Sequence, residues 1–124
     1  MNDKINSYRD LRVWQLGMDL AVECYEATKA LPREELFAMT SQIRRAAASI
    51  PANIAEGHGR GSRKEYRQFL RTAQASLREL ETHLLLSARV NLLPEASATK
   101  LLKTTDQLGR MLQALQKSLV GDRR

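Results

Sequence analysis

Four apolar stripes at helical spacing, separated by short breaks, constrain what this chain can fold into. The first runs through Val13, Leu16, Gly17, Leu20, Cys24, Ala27 and Leu31, and predicts a helix over residues 10–31. The second runs through Leu36, Met39, Ile43, Ala46, Ala47, Ile50 and Ile54, and predicts a helix over 36–56. Tyr66, Phe69, Leu70, Ala73, Leu77, Leu80 and Leu84 place a third over 62–90. Leu101, Thr105, Leu108, Leu112, Leu115 and Leu119 place a fourth over 94–119. Residues 121–124 read as a frayed tail. No alternating run rich in β-branched or aromatic residues marks a strand. Four helices joined by short loops imply an all-α, up-down antiparallel four-helix bundle in one domain spanning 1–124.

Local chemistry places the helix ends. Ser7, with Asp10 three residues on, reads as the N-cap of the first helix. Ser62 and Glu65 form the pattern of a capping box for the third. Three prolines and six glycines punctuate the chain. Pro32 divides the first two helices and Pro94 opens the fourth. Pro51 falls inside the second stripe, where it removes one backbone hydrogen bond. Ile54 nevertheless keeps phase with Ile43, Ala47 and Ile50, so one helix kinked at Pro51 fits better than two unrelated helices. Gly57, Gly59 and Gly61 read as a flexible turn. They match no phosphate-binding fingerprint, since no strand precedes them and no Gly-Lys-Ser/Thr ending follows.

Composition narrows the setting. The chain has 124 residues, 43% of them hydrophobic and 27% charged, which is a globular balance. A single cysteine, Cys24, excludes an intramolecular disulfide and suits a reducing compartment. There is no run of 18 apolar residues for a membrane span, and the first ten residues are polar. A cytoplasmic location is the expectation.

Charge is unevenly placed. Lys and Arg number 20 against 14 Asp and Glu, a net charge of +6. Between Thr40 and Arg78 stand eight basic residues and two acidic ones, Glu56 and Glu65, which accounts for the whole excess. The eight are Arg44, Arg45, Arg60, Arg63, Lys64, Arg67, Arg71 and Arg78. At ~100° per residue, Arg60, Arg63, Arg67, Arg71 and Arg78 fall within a sector of about 80° along the third helix and the turn before it. Arg63, Arg67 and Arg71 have no carboxylate four residues away on that helix, so like charges stand together at a cost of a few tenths of a kcal/mol. Two readings stay open. One is a row held for phosphates; the other is a solvated face, some of its arginines paired with acids on neighbouring helices. Tyr66 and Phe69 lie on the core stripe and read as packing residues, not base-stacking platforms.

Two features exceed what a lone bundle needs. Trp14, Met18, Ala21 and Tyr25 form a second apolar line on the first helix, and Leu84, Leu85 and Leu86 point to three sides of the third. They signify a wide buried face or a subunit interface, with Trp14, Met18, Tyr25, Leu85 and Leu86 as the contact residues. Catalytic and metal sites find no support. The two histidines, His58 and His83, lack the Glu-x-x-His spacing of a di-iron bundle. One Cys with two His makes no zinc site, and Cys24 sits on a core stripe as a small hydrophobe. No catalytic residue, metal or cofactor is expected.

The run Gln42-Ile43-Arg44-Arg45-Ala46-Ala47-Ala48-Ser49-Ile50-Pro51-Ala52-Asn53-Ile54-Ala55-Glu56-Gly57 resembles the signature of a bacterial four-helix-bundle family. That family is named after intervening sequences of large-subunit ribosomal RNA. Leu11-Arg12-Val13-Trp14 and Ser76-Leu77-Arg78-Glu79-Leu80-Glu81 are similar to it as well. The resemblance implies a four-helix bundle assembling as a ring-shaped homopentamer. It also implies kinship with a basic accessory protein of diversity-generating retroelements, which binds a reverse transcriptase and nucleic acid. Within the signature, Ser49, Pro51, Asn53, Glu56 and Gly57 form the structural motif. Ser49, Asn53 and Glu56 read as polar groups that satisfy the Pro51 kink and bridge helices.

Two functions follow as expectations. One is a non-enzymatic RNA- or nucleoprotein-binding module that presents its arginine stripe on an oligomeric ring. The other is a protein–protein scaffold whose basic face docks an acidic protein partner.

Overall fold

The computed structural model describes residues 4–120; the expected tail at 121–124 lies outside them. Among the described residues there is no strand. Four helices follow one another: α1 (Arg12–Thr28), α2 (Met39–His58), α3 (Arg63–Arg89) and α4 (Glu95–Val120). Each packs on its sequence neighbours, and α1 meets α4 to close the bundle.

The helix ends show where local chemistry acts. Ser7 and Asp10 do form a reciprocal capping box: Ser7 Oγ accepts from Arg9 N at 3.1 Å, and Asp10 Oδ2 from Ser7 N at 3.2 Å. The box closes a separate short 3-10 turn, Tyr8–Asp10, and not α1, because Leu11 is extended and breaks the path. The second helix starts three residues later than its stripe predicts. Pro32 opens another 3-10 turn, Arg33–Glu35, and Glu35 Oε1 then accepts from Met39 N at 3.2 Å. Leu36 is consequently exposed and leaves the core stripe. Ser62 Oγ accepts from Glu65 N at 3.1 Å, the expected cap of α3. The Glu65 carboxylate turns to the Ser62 hydroxyl at 3.4 Å. At the far end of α3, Asn91 takes a left-handed backbone (φ 61°), so that Leu92 N reaches Ser87 O at 2.8 Å. A left-handed residue just past a helix is a common way to reverse the chain.

The core is aliphatic and continuous. Leu20 and Cys24 of α1, Ile43, Ala47, Ile50 and Ile54 of α2, Leu70, Ala73, Leu80 and Leu84 of α3, and Leu108 and Leu112 of α4 are shut off from solvent. Burying each large side chain contributes roughly 1.5–3 kcal/mol. α2 runs unbroken through Pro51, which is itself buried. Gly17 of α1 faces it: a Cβ there would meet Pro51 Cβ at 3.6 Å and Ile50 Cγ2 at 3.7 Å. Both are ordinary van der Waals distances, so α1 packs beside the proline ring without a glycine being required there.

Gly57, expected in a turn, is the penultimate residue of α2 and is buried. The reason is steric. A Cβ there would lie 2.6 Å from Phe69 Cβ and 3.2 Å from Tyr66 Cδ1. Only glycine lets α3 pass so close in a packed interior. The turn proper is residues 59–62.

Gly57→Ala should destabilise the bundle by about 1–3 kcal/mol, because Phe69 Cβ is fixed to the α3 backbone and cannot swing away. Gly59→Ala should be neutral or stabilising by a few tenths of a kcal/mol. Its backbone is helical (φ −82°) and the nearest atom to an added Cβ is 3.6 Å away. Urea unfolding of both variants checks the pair; equal losses would contradict the packing argument.

Candidate nucleic-acid interface

The basic residues predicted to form one face divide among three surfaces. Arg67, Arg71 and Arg78 stay on one flank of α3. Arg71 and Arg78 are exposed and Arg67 is half-buried. Among the described residues, none of the three guanidinium groups has an ion pair or side-chain hydrogen bond. Arg63 and Lys64 lie exposed in the first turn of the same helix.

Arg60 belongs to the turn and is held there. Its Nη2 lies 3.4 Å from Glu56 Oε2, and its Cζ is 4.8 Å from the centre of the Phe69 ring. The pair is open to water and adds little stability. It does show Glu56 serving the turn and not bridging two helices. Phe69 and Tyr66 are half-buried packing residues, as their stripe implies.

Arg44 is turned the other way. Its Nε donates to Thr28 Oγ1 at 2.8 Å and its Nη2 to Tyr25 O at 3.3 Å. Its Cζ sits 4.8 Å from the Tyr25 ring centre. A cation at the C-terminal turn of α1 satisfies carbonyls the helix leaves unbonded. Arg44 therefore joins α2 to α1 and does not extend the α3 row. Arg45 is exposed one turn before Ser49, on the side of α2 that meets α3. There Ser49 Oγ bonds Ser76 Oγ, bridging the two helices as expected. Asn53 Nδ2 donates to Ser49 O at 2.8 Å. The carbonyl that Pro51 leaves without its helical donor is that of Ala47, so Asn53 reinforces the neighbouring turn instead.

Sequence reasoning missed the extension of the row onto α4. Gln74 fixes the seam, donating from Nε2 to Gly109 O at 3.3 Å and accepting from Gln116 Nε2 at 2.7 Å. Gly109 lies at this seam, where an added Cβ would meet Leu77 Cδ2 at 3.4 Å, an ordinary contact. Arg78 shares the resulting groove with Arg110, and Arg110 shares the next surface hollow with Lys117. Arg110 also pairs with Asp106 at 2.7 Å, and Glu81 lines the same groove. The basic surface is thus densest on α3 and is interrupted by Glu81 of α3 and Asp106 of α4. The spacing of Arg110 and Lys117, two helical turns apart, was the available signal.

The expected interface residues are mixed. Met18, Tyr25, Leu85 and Leu86 are exposed, while Trp14 is half-buried with its ring edge-on to Tyr8 at 5.3 Å. Val22 and Phe37, not singled out by the stripes, are more exposed than any of them. Cys24 is buried, and burial pushes its thiol up to about 12, with Glu23 adding to the effect. Burial also raises the Tyr66 phenol. His83 Nε2 stands 3.6 Å from Glu79 Oε2, too far for a hydrogen bond. No group of three metal-ligating side chains occurs among the described residues. No described helix is long and apolar enough to cross a membrane.

A basic four-helix bundle with an arginine flank on its third helix is the class defined by these features. The chain belongs to the 23S rRNA-intervening sequence protein family, whose pattern matches residues 9–114. It is also similar to a solved protein of unknown function from the S23 ribosomal protein family of Bacteroides thetaiotaomicron VPI-5482. The two are 26% identical, with a TM-score of 0.79 over 85% of this chain and 98% of the other. A search of curated proteins finds no match.

Arg44→Gln should cost about 1 kcal/mol, from lost hydrogen bonds to Thr28 and Tyr25. Arg71→Gln should fall within about 0.5 kcal/mol of wild type, as surface substitutions usually do. Denaturant midpoints measured side by side check the contrast between an arginine that holds helices and one that does not. Cys24 should resist thiol reagents at mildly alkaline pH until the protein is unfolded, because the neutral thiol is a poor nucleophile.

Proposed function

We propose that this protein is a non-enzymatic, cytoplasmic RNA-binding module that presents its α3 arginine flank to phosphate backbones. One observation carries the reading: Arg67, Arg71 and Arg78 stand in a row without an ion-pair or side-chain hydrogen-bond partner among the described residues, while Arg44 is held by Thr28 and Tyr25 and Arg60 by Glu56. Arg suits phosphate through its planar, two-pronged donor set. Arg110 and Lys117 lengthen the track. The family's name, which refers to 23S rRNA, supports RNA as the anion. Such contacts position a backbone and read no sequence.

The same reading includes a closed homo-oligomer, a pentameric ring. Its support is the family resemblance together with apolar side chains on two separate faces. Met18, Val22 and Tyr25 lie on α1, and Leu85, Leu86 and Val90 lie at the end of α3. A contact between unlike faces closes into a ring when its rotation allows. A ring repeats the arginine flank in every copy, so weak contacts add through multivalency.

The decisive variant replaces Arg67, Arg71 and Arg78 with Gln. Folding should be intact, since all three flank the core. Affinity for structured RNA should fall for all sequences alike. The slope of log affinity against log salt should shrink by roughly two to three per engaged chain, at about 0.7–0.9 per phosphate contact. An unchanged affinity and slope would make the row a solvated face, and the scaffold with an acidic protein partner would replace this reading.

A further inference from the structure

The most exposed large apolar side chain described is Phe37, at 92%, with Leu36 beside it at 45%. Exposure on this scale does not come from a slack loop. Glu35 N donates to Pro32 O at 2.9 Å, Leu36 N to Arg33 O at 3.0 Å and Ala38 N to Glu35 O at 2.9 Å. The Glu35 carboxylate then holds Met39 N at 3.2 Å, tying the segment to α2. Phe37 is therefore presented on a hydrogen-bonded support. A backbone already fixed loses little further freedom on docking.

A matching hollow lies at the same end of the bundle. It runs between the last turns of α1 and the first of α4, with a volume of 390 Å³. Val22, Ala27 and Leu101 line it, with Glu23, Glu26 and Lys100. Val22 is 57% exposed. Glu23 Oε1 is shut off from solvent and has no hydrogen-bond partner among the described residues. Glu23 and Glu26 give the groove an acidic rim on α1, and Lys100 stands on its α4 side.

We infer that Phe37 of one copy of this chain seats in the α1–α4 groove of a second copy. The charges around knob and groove agree. Arg33, four residues before Phe37 and exposed, is set to meet the acidic Glu23 and Glu26 of the groove, and Glu34 to meet Lys100. Phe37 leaves the bundle at its α1–α2 edge while the groove opens at its α1–α4 edge, so the chain does not fill its own groove. Knob and groove share one end, which lets copies stand side by side with their axes parallel. Unlike faces in contact at one height repeat around a closed ring. The inference rests on the homo-oligomer reading above and names the contact that would make it.

Two measurements test it. The first is sedimentation of Phe37→Ser, whose exposed site leaves the core untouched, with circular dichroism to confirm folding. Self-association should weaken roughly tenfold or more, as for a central aromatic anchor. The second is a chain carrying both Phe37→Cys and Val22→Cys under mild oxidation. It should give a ladder of disulfide-linked copies, which neither single variant gives. Native Cys24 is buried and does not compete. An oligomeric wild type with an unchanged Phe37→Ser mass and no ladder overturns this contact but leaves the ring standing. A wild type that sediments as 14.0 kDa at micromolar concentration overturns both.

Discussion

Everything else in this protein depends on how closely α2 approaches its neighbours. Ile43, Ala47, Ile50 and Ile54 fill the space between α1 and α3 and see no solvent. At Gly57 a small residue sets the spacing, admitting Phe69 and Tyr66 from the α3 side, while the Pro51 ring packs beside Gly17 on the α1 side. Packed cores transmit even a one-methyl misfit. The signature run from Gln42 to Gly57 is therefore mainly a packing instruction. Its proline is buried beside Gly17, and the helix continues past it.

That spacing decides which charges are free to act. With α2 drawn against α1, Arg44 reaches Thr28 and the last carbonyls of α1 and becomes a fastening. With α2 ending at Gly57 against α3, Arg60 falls between Glu56 and Phe69. Arg67, Arg71 and Arg78 lie on the flank of α3 that turns from α2 toward α4, where Gln74, Gly109 and Gln116 make the seam. They are left for solvent or for an anion. One basic run in the sequence thus becomes helix fastening in one part and open surface in another.

The fold was legible because its cause is periodic. Stripes on all four helices and the cap at Ser62 act within one or two turns, so short windows of sequence contain them. The misread positions share a different cause. Leu36 keeps phase with the α2 stripe, yet the Pro32 turn and the Glu35 carboxylate delay the helix past it. Gly57 looks like a turn residue, yet a neighbour 2.6 Å from its missing Cβ explains it. Ser7 and Asp10 cap as their spacing demands, but what they cap ends at Leu11.

By itself the sequence determined that the chain is helical, most of the residues that line the core, and that its positive charge gathers in the middle. Those properties follow from side-chain period and composition, which need no partner. Only the tertiary structure decided which arginines keep their charge available, that Phe37 stands in solvent, and that Glu23 holds an oxygen without a donor among the described residues. Each of these depends on a group from a distant part of the chain arriving or failing to arrive. Thr28 reaches Arg44 across 16 residues and Gln116 reaches Gln74 across 42. A local pattern carries no record of such meetings, because they are made by the packing of whole helices.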